Sequence, residues 1–398
     1  MTETIVCLSS QRWDDGMWTN KQHIMSRVAK DHRVLHVNFG PFPLRHMRRR
    51  RRERGEPWWR TFDPREPLVT LSDGVEVLDF AGPDHRFSEV GEPAWIAGHF
   101  QWRLWLLRQH LRRVRIVDPV VWVYHPGYGR AALSLSPRLL VYDCVDEYSA
   151  FPEYRDDPGW IVQRERDLCR AADLVFTTSR GLFERKRPLN PHATRLVHNV
   201  GDAAHFAGAR AEGTIIPADI ASIDGPIIGF VGAVSGYKLD IDWLLALARA
   251  RPDTAVVVIG PVGVADPDTD LAALEATANI HLLGHRNYDE LPAYLKAFDV
   301  AVIPYRINGY TKYVFPIKFF EFMATGTPVV ISALPSLSDF YDAVRVADDA
   351  EAFIRHCDEA LTEAPDDPAR ARRIALAGEN SWDSRVAQLM EAVTSALA

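Results

Sequence analysis

KYVFPIKFFEFMATGTPVV, residues 312–330, decides how this chain is read. Pro316 pre-sets a first helical turn, Gly326 and Pro328 close the helix, and Pro-Val-Val-Ile resumes as a buried strand. Lys318 and Glu321 are three residues apart, so they share one face near the helix's positive end, where unpaired backbone N–H groups favour phosphate oxygens. Lys318 is placed to neutralise a diphosphate and Glu321 to accept hydrogen bonds from two ribose hydroxyls. The same spacing also suits an exposed ion pair, and the surrounding sequence has to decide between the two.

Working outward, short β-rich apolar runs alternate with helical segments on both sides of one break. Runs at 4–8, 33–38, 120–124, 139–143, 174–178 and 195–199 precede an Ala, Gly and Pro-rich stretch. The pattern restarts at 226–231 and continues through 255–259, 280–283 and 300–304. The expected fold is α/β, with two Rossmann-like doubly wound domains facing a central cleft. The expected boundaries are 1–205, a linker at 206–225, and 226–378, with an amphipathic closing helix in 379–398 available to return to the first domain. Ligands in such folds collect at the carboxyl ends of the strands.

Composition agrees with a globular protein of this size. The 398 residues are 47% hydrophobic and 25% charged, enough for two cores. A net charge of -7 argues against nucleic acid as partner. Four scattered cysteines without a Cys-x-x-Cys pair suggest neither a zinc site nor a disulfide framework, which fits a reducing cytoplasm. No apolar run approaches the roughly 20 residues of a membrane span.

GFVGAVSGYKLDIDWLL, residues 229–245, reads as strand, glycine-bearing loop and helix, so Gly232 lets backbone approach a phosphate and Lys238 reaches the same anion. It is neither G-x-G-x-x-G nor a Walker loop, and no dinucleotide cofactor is indicated. In IHLLGHRNYDELPAYLKAFDVAVIPY, residues 280–305, His285 and Arg286 follow a strand and offer a loop to a base edge. In order, Gly232-x5-Lys238, Leu-Leu-Gly-His, Asp-Val-Ala-Val-Ile-Pro-Tyr and the Lys318-x-x-Glu321 helix with Gly-Thr-Pro-Val resemble the nucleotide-sugar half of GT-B glycosyltransferases. The resemblance is to the bacterial group that builds cell-surface polysaccharides, such as teichuronic acid transferases and the xanthan glucuronosyltransferase. It extends to the first half through Ser-x-x-Trp-Asp (10–14) and Tyr-Asp-Cys-Val-Asp-Glu (142–147).

What the resemblance implies is that Glu321 holds the ribose, Lys318 the diphosphate, and the His285–Arg286 loop the base, uracil by this reading. Two positions depart from the pattern: Tyr313 stands where many relatives carry the first Glu of Glu-x7-Glu, and Ala233 where an Arg commonly follows the loop glycine. Asn308, Tyr310, Thr311 and Tyr313, just before the helix, are the candidates for contacting the donor sugar.

The first half supplies candidates for the acceptor side. In LLVYDCVDEYSAF, residues 139–151, Asp146 and then Asp143 are the candidate general bases at a strand end, and His125 in YHPGYG (124–129) is a third. Trp13, Asp14 and Trp18, in the loop after the first strand, suit an acceptor platform. LRHMRRRRRERGEPWWR (44–60) and WIAGHFQWRLWLLRQHLRRVRI (95–116) combine Arg with Trp, the chemistry of an anionic membrane surface, and the second reads as a basic helix with Trp and Leu on one side. The expected activity is transfer of a sugar from a UDP-sugar to a hydroxyl of a lipid-linked or glycan acceptor at the inner face of the cell membrane, with no cofactor and no metal. A nucleotide-sugar epimerase and a non-catalytic nucleotide-sugar binder are the rival readings.

Overall fold

The computed structural model describes residues 2–9, 11–13, 18–38, 49, 51–59, 68–79, 94–154, 158–263, 266 and 269–398. Two sheets organise these residues. The first has strand order β3-β4-β2-β1-β5-β6-β7-β8, built from β1 (Thr4–Ser9), β2 (Arg33–Asn38), β3 (Leu68–Ser72), β4 (Val75–Asp79), β5 (Val120–Val123), β6 (Leu139–Cys144), β7 (Leu174–Thr177) and β8 (Thr194–Leu196). Only β3 runs antiparallel, at the edge. The second is wholly parallel, order β11-β10-β9-β12-β13-β14, built from β9 (Ile227–Val231), β10 (Ala255–Ile259), β11 (Ile280–Gly284), β12 (Val300–Ile303), β13 (Val329–Ser332) and β14 (Arg345–Ala347). This is the GT-B arrangement, and its central strands are buried on both faces, which is why they are continuous apolar runs rich in Val and Ile.

Strand order reverses between β1 and β5 in the first sheet and between β9 and β12 in the second. The loops after these strands diverge there, leaving room for a ligand. Gly232, Tyr305 and the residues around Asp146 all lie within a few positions of a strand's carboxyl end.

The chain crosses between sheets at 197–202, earlier than the linker expected at 206–225. Residues 203–210 form the short helices Ala203–Phe206 and Ala207–Arg210, which pack on the Lys318–Thr325 helix of the second lobe. Gly201 touches that helix so closely that a Cβ there would lie 2.8 Å from the backbone N of Glu321. The C-terminal helix Trp382–Leu397 packs on the Asn20–Val28 helix and on β6 and β7. Its buried Arg385 donates from Nη1 to the carbonyls of Val197 and His198, fastening the crossing segment to the first lobe.

Helix Ala94–Arg113 corrects one expectation. Leu104, Leu106, Leu107 and Leu111 are buried in the first lobe, whereas Trp102 and Trp105 are 41% and 47% exposed, so Trp and Leu lie on opposite sides. Arg51 and Arg103 are buried rather than part of a basic surface. Residues 44–48, 50 and 60 of the Arg-rich segment lie outside the described residues.

Candidate active site

The site is built on the Lys318–Thr325 helix, whose orientation is fixed by its apolar residues. Phe319, Phe320, Phe322 and Met323 are all buried, each worth about 1.5–3 kcal/mol relative to exposure. Gly326 ends the helix at φ 79°, in the left-handed region that glycine adopts without strain. With the helix so anchored, the remaining face presents Lys318 and Glu321 to a cavity of about 280 Å³ between the two lobes.

Lys318 and Glu321 have separate partners and do not form the exposed ion pair that their spacing also suited. The Lys318 Nζ donates to Tyr305 Oη at 3.0 Å and lies 5.6 Å from the Phe230 ring centroid. Lys238 sits 5.1 Å from the Tyr305 ring centroid. Burial pushes the Tyr305 hydroxyl up, yet Lys238 and Lys318 together bring it below its ordinary range, a sign of how positive this corner is. Gly232 makes room for it: at φ 152°, a Cβ there would lie 2.6 Å from Lys318 Cε.

Glu321, one turn along, is 9% exposed, and Tyr288 Oη lies 3.5 Å from its Oε1. Burial raises its carboxyl to about 7, against the opposing charge of Lys318. His285 and Arg286 line the same cavity. The Arg286 guanidinium is held by Asp219 at 2.6 Å and by Tyr294 Oη at 2.6 Å, so its charge is already partnered where the loop meets the cavity.

From the first lobe, Asp146 lines the cavity, and its Oδ1 accepts from Tyr310 Oη of the second lobe at 3.0 Å. Burial lifts the Asp146 carboxyl above the usual carboxylate range, with Lys21, Lys238 and the Tyr310 bond opposing. Asp143 is a correction. Its side chain is fully buried within the first lobe, where burial raises its carboxyl and Arg385 opposes, so it cannot reach an acceptor. His125 is a second: its Nδ1 accepts from Gly127 N at 3.1 Å, its Nε2 lies 3.2 Å from Tyr154 Oη, and it is buried outside the cavity.

The donor-sugar candidates divide. Tyr310 lines the cavity, but its hydroxyl is taken by Asp146 and is not free for a donor sugar. Asn308 does not: its Oδ1 accepts from the N–H groups of Tyr310 and Thr311, and its Nδ2 donates to Tyr237 O, which commits it to shaping the loop. Thr311 is buried and donates to the Arg306 carbonyl. Tyr313 packs over Gly181 and the Arg185 guanidinium of the first lobe, away from the cavity.

Among the acceptor candidates, Trp13 is a core residue against His36, with ring centroids 5.2 Å apart. Asp14 lies outside the described residues. Trp18 does line the cavity, stacked at 6.1 Å on Tyr288 of the other lobe, which places it beside the Glu321 end rather than on a separate acceptor platform.

Among the cavity residues that escaped the sequence reading are Lys21, Tyr288 and Tyr305. Tyr288 follows the His285–Arg286 loop by two residues, and Tyr305 ends the apolar run of β12, so position after a strand was the available signal. Lys21 had only its place in the first helix after β1.

Residues 225–363, the lobe that carries Lys318 and Glu321, match the family described as Glycosyl transferases group 1. That lobe is a group 1 glycosyltransferase domain, and the whole chain has the GT-B architecture. It is 26% identical over 288 residues to a protein named as the teichuronic acid biosynthesis glycosyltransferase TuaH of Bacillus subtilis, covering 68% of this chain and 70% of that one. In structure it is similar to Anabaena HepE in complex with UDP, with TM-score 0.65 and 15% identity over 99% of this chain and 100% of that one. It is also similar to a UDP-forming α,α-trehalose-phosphate synthase from Burkholderia xenovorans, with TM-score 0.71 and 12% identity over the whole of both chains.

Proposed function

We propose that the protein transfers a sugar from a UDP-sugar to a hydroxyl of a lipid-linked or membrane-associated glycan in the synthesis of a bacterial surface polysaccharide. The observation that carries this reading is the pairing of Lys318 and Lys238 around Tyr305, beside Glu321 and across the cleft from Asp146. The two ammonium groups stabilise the departing diphosphate, and Glu321 accepts the ribose hydroxyls. Ala233 lines the cavity without charge, which leaves the phosphate charge to the two lysines. They supply the neutralisation a divalent cation would otherwise provide, and the proposed reaction proceeds without metal.

In the transfer, the acceptor oxygen bonds to the anomeric carbon as the bond to the β-phosphate oxygen breaks and its electron pair leaves on UDP. Asp146 accepts the hydrogen bond of the acceptor hydroxyl. The product's anomeric configuration assigns the proton: inversion gives it to Asp146, and retention gives it to the departing phosphate oxygen with Asp146 orienting the hydroxyl.

Membrane contact is proposed through Trp102 and Trp105, together with Trp58 and Trp59, which are 42% and 62% exposed. Exposed Trp beside Arg112 and Arg113 at the end of the same helix suits a lipid interface with anionic headgroups. Among the described residues no helix is long and apolar enough to cross a membrane, so this contact would be peripheral, and the proposed location is the cytoplasmic face.

One assay tests the whole reading. UDP-sugars are presented with lipid-linked glycan in anionic vesicles, with and without EDTA, and UDP release is followed together with binding to the vesicles. Release that requires acceptor, withstands EDTA and accompanies vesicle binding is expected. Interconversion of the free donor without acceptor would indicate the epimerase instead, and nucleotide binding with no turnover against any acceptor would indicate a binding protein.

A further inference from the structure

We propose that Tyr310 is the positioning residue for Asp146, carried on the opposite lobe, so that the acceptor-side carboxylate reaches its working orientation only when the lobes close. The inference rests on the assignment of Asp146 made above. Asp146 follows β6 of the first sheet, Tyr310 follows β12 of the second, and the 3.0 Å bond between them spans the cleft.

The tyrosine is built for this contact. Its side chain is 6% exposed, and its ring lies between Phe151 of the first lobe and Tyr237 of the second, with centroid distances of 4.9 and 5.5 Å. Asn308 holds the backbone from below by accepting from the N–H groups of Tyr310 and Thr311 at 2.9 Å each. The loop is therefore braced by its own lobe, and the hydroxyl projects from a fixed platform.

The bond engages Oδ1 and leaves Oδ2 for the acceptor hydroxyl. The other groups acting on this carboxylate come from three elements: Lys21 on the Asn20–Val28 helix, Lys238 on the loop after β9, and the neighbouring Glu147. Glu147 itself turns away to Lys186 at 3.3 Å and Arg185 at 2.9 Å. Of the neutral donors, Tyr310 alone among the described residues gives Asp146 a side-chain hydrogen bond, and it departs when the second lobe swings away. An open molecule then holds an Asp146 free to rotate, and donor that binds first meets an unready acceptor side. This limits reaction to the state from which water is excluded.

The test is a double-mutant cycle on the full chain, with Tyr310→Phe, Asp146→Asn and the double variant, read by kcat, by the donor KM and by the thermal shift that UDP induces. Tyr310→Phe keeps the ring between Phe151 and Tyr237 and removes only the hydroxyl. The expected result is a fall in kcat of about tenfold with donor KM and UDP shift unchanged, and no further fall when it is added to Asp146→Asn. Wild-type kcat in Tyr310→Phe, loss of the UDP shift, or an undiminished fall in the Asp146→Asn background would each overturn the inference. If Asp146→Asn itself turns over at the wild-type rate, the role of Asp146 fails first, and that outcome is distinct from the others.

Discussion

Lys318→Ala is expected to abolish most of the thermal shift given by UDP and to lower kcat/KM by on the order of a thousandfold. The two effects have one origin. A charge-assisted contact to a phosphate is worth about 1.5–3 kcal/mol in binding, and the same ammonium acts more strongly once the leaving diphosphate has gained charge. The free protein should tolerate the change, because among the described residues the Lys318 Nζ bonds only Tyr305 Oη and packs over Phe230, and Glu321, whose ionisation its charge favours, can take up a proton instead. An unchanged melting temperature without ligand would therefore accompany the lost shift. Lys318→Arg should rescue little, since the Gly232 backbone approaches Lys318 so closely that not even a Cβ would fit there, and a planar guanidinium needs more space. A Lys318→Ala variant that kept both the UDP shift and the turnover would remove the diphosphate from this corner of the cleft.

The second large effect is a pH dependence of donor affinity set by Glu321. Its carboxyl is raised to about 7 by burial in the free protein, and ribose hydroxyls donate to the ionised form. Below that value the ligand must first displace the proton, so affinity should weaken by up to about tenfold for each pH unit below 7 and level off above it. The sign follows from linkage: binding favours the form with fewer protons, so a proton is released and affinity rises with pH. UDP-glucose is the suitable probe, because its diphosphate lacks the terminal monoester group that titrates near 6. Calorimetric titration in buffers of different ionisation enthalpy would count the proton released. Glu321→Gln should flatten the profile, and a wild-type slope in that variant would assign the titration to another group.

How far the sequence carried this account varies with the kind of residue. Residues whose placement at the cavity follows from a helix face or a strand end were legible. Helical geometry put Lys318 and Glu321 on one face, the surrounding motifs favoured a cleft over an exposed ion pair, and Gly232 needed only its place after β9. The alternation of apolar runs with helical segments was enough for two mainly parallel sheets, because strands buried on both faces read as unbroken apolar runs rich in Val and Ile.

Residues whose side chains are claimed by distant partners were not legible. Asp143 resembles Asp146 in sequence, but Arg385, on a helix that returns from the end of the chain, lies beside it inside the first lobe. Asn308 and Thr311 are polar, precede the helix, and are committed to their own loop. Tyr313 crosses to Gly181 of the other lobe. Tyr288 was missed for the opposite reason: its value lies in reaching Glu321 within the second lobe and in stacking on Trp18 of the first, a contact that exists only once both lobes face each other. In Ala94–Arg113 the helical period was visible, but burial alone separates the Leu side from the exposed Trp102 and Trp105.

The most direct measurement of the central claim is a crystal structure with UDP bound. The account predicts density for the diphosphate within hydrogen-bonding distance of Lys318 Nζ, with the two ribose hydroxyls on the Glu321 carboxylate and the uracil against the His285–Arg286 loop. A nucleotide seated elsewhere in the cleft, or one that leaves Lys318 on Tyr305 and Glu321 without a ribose contact, would contradict it.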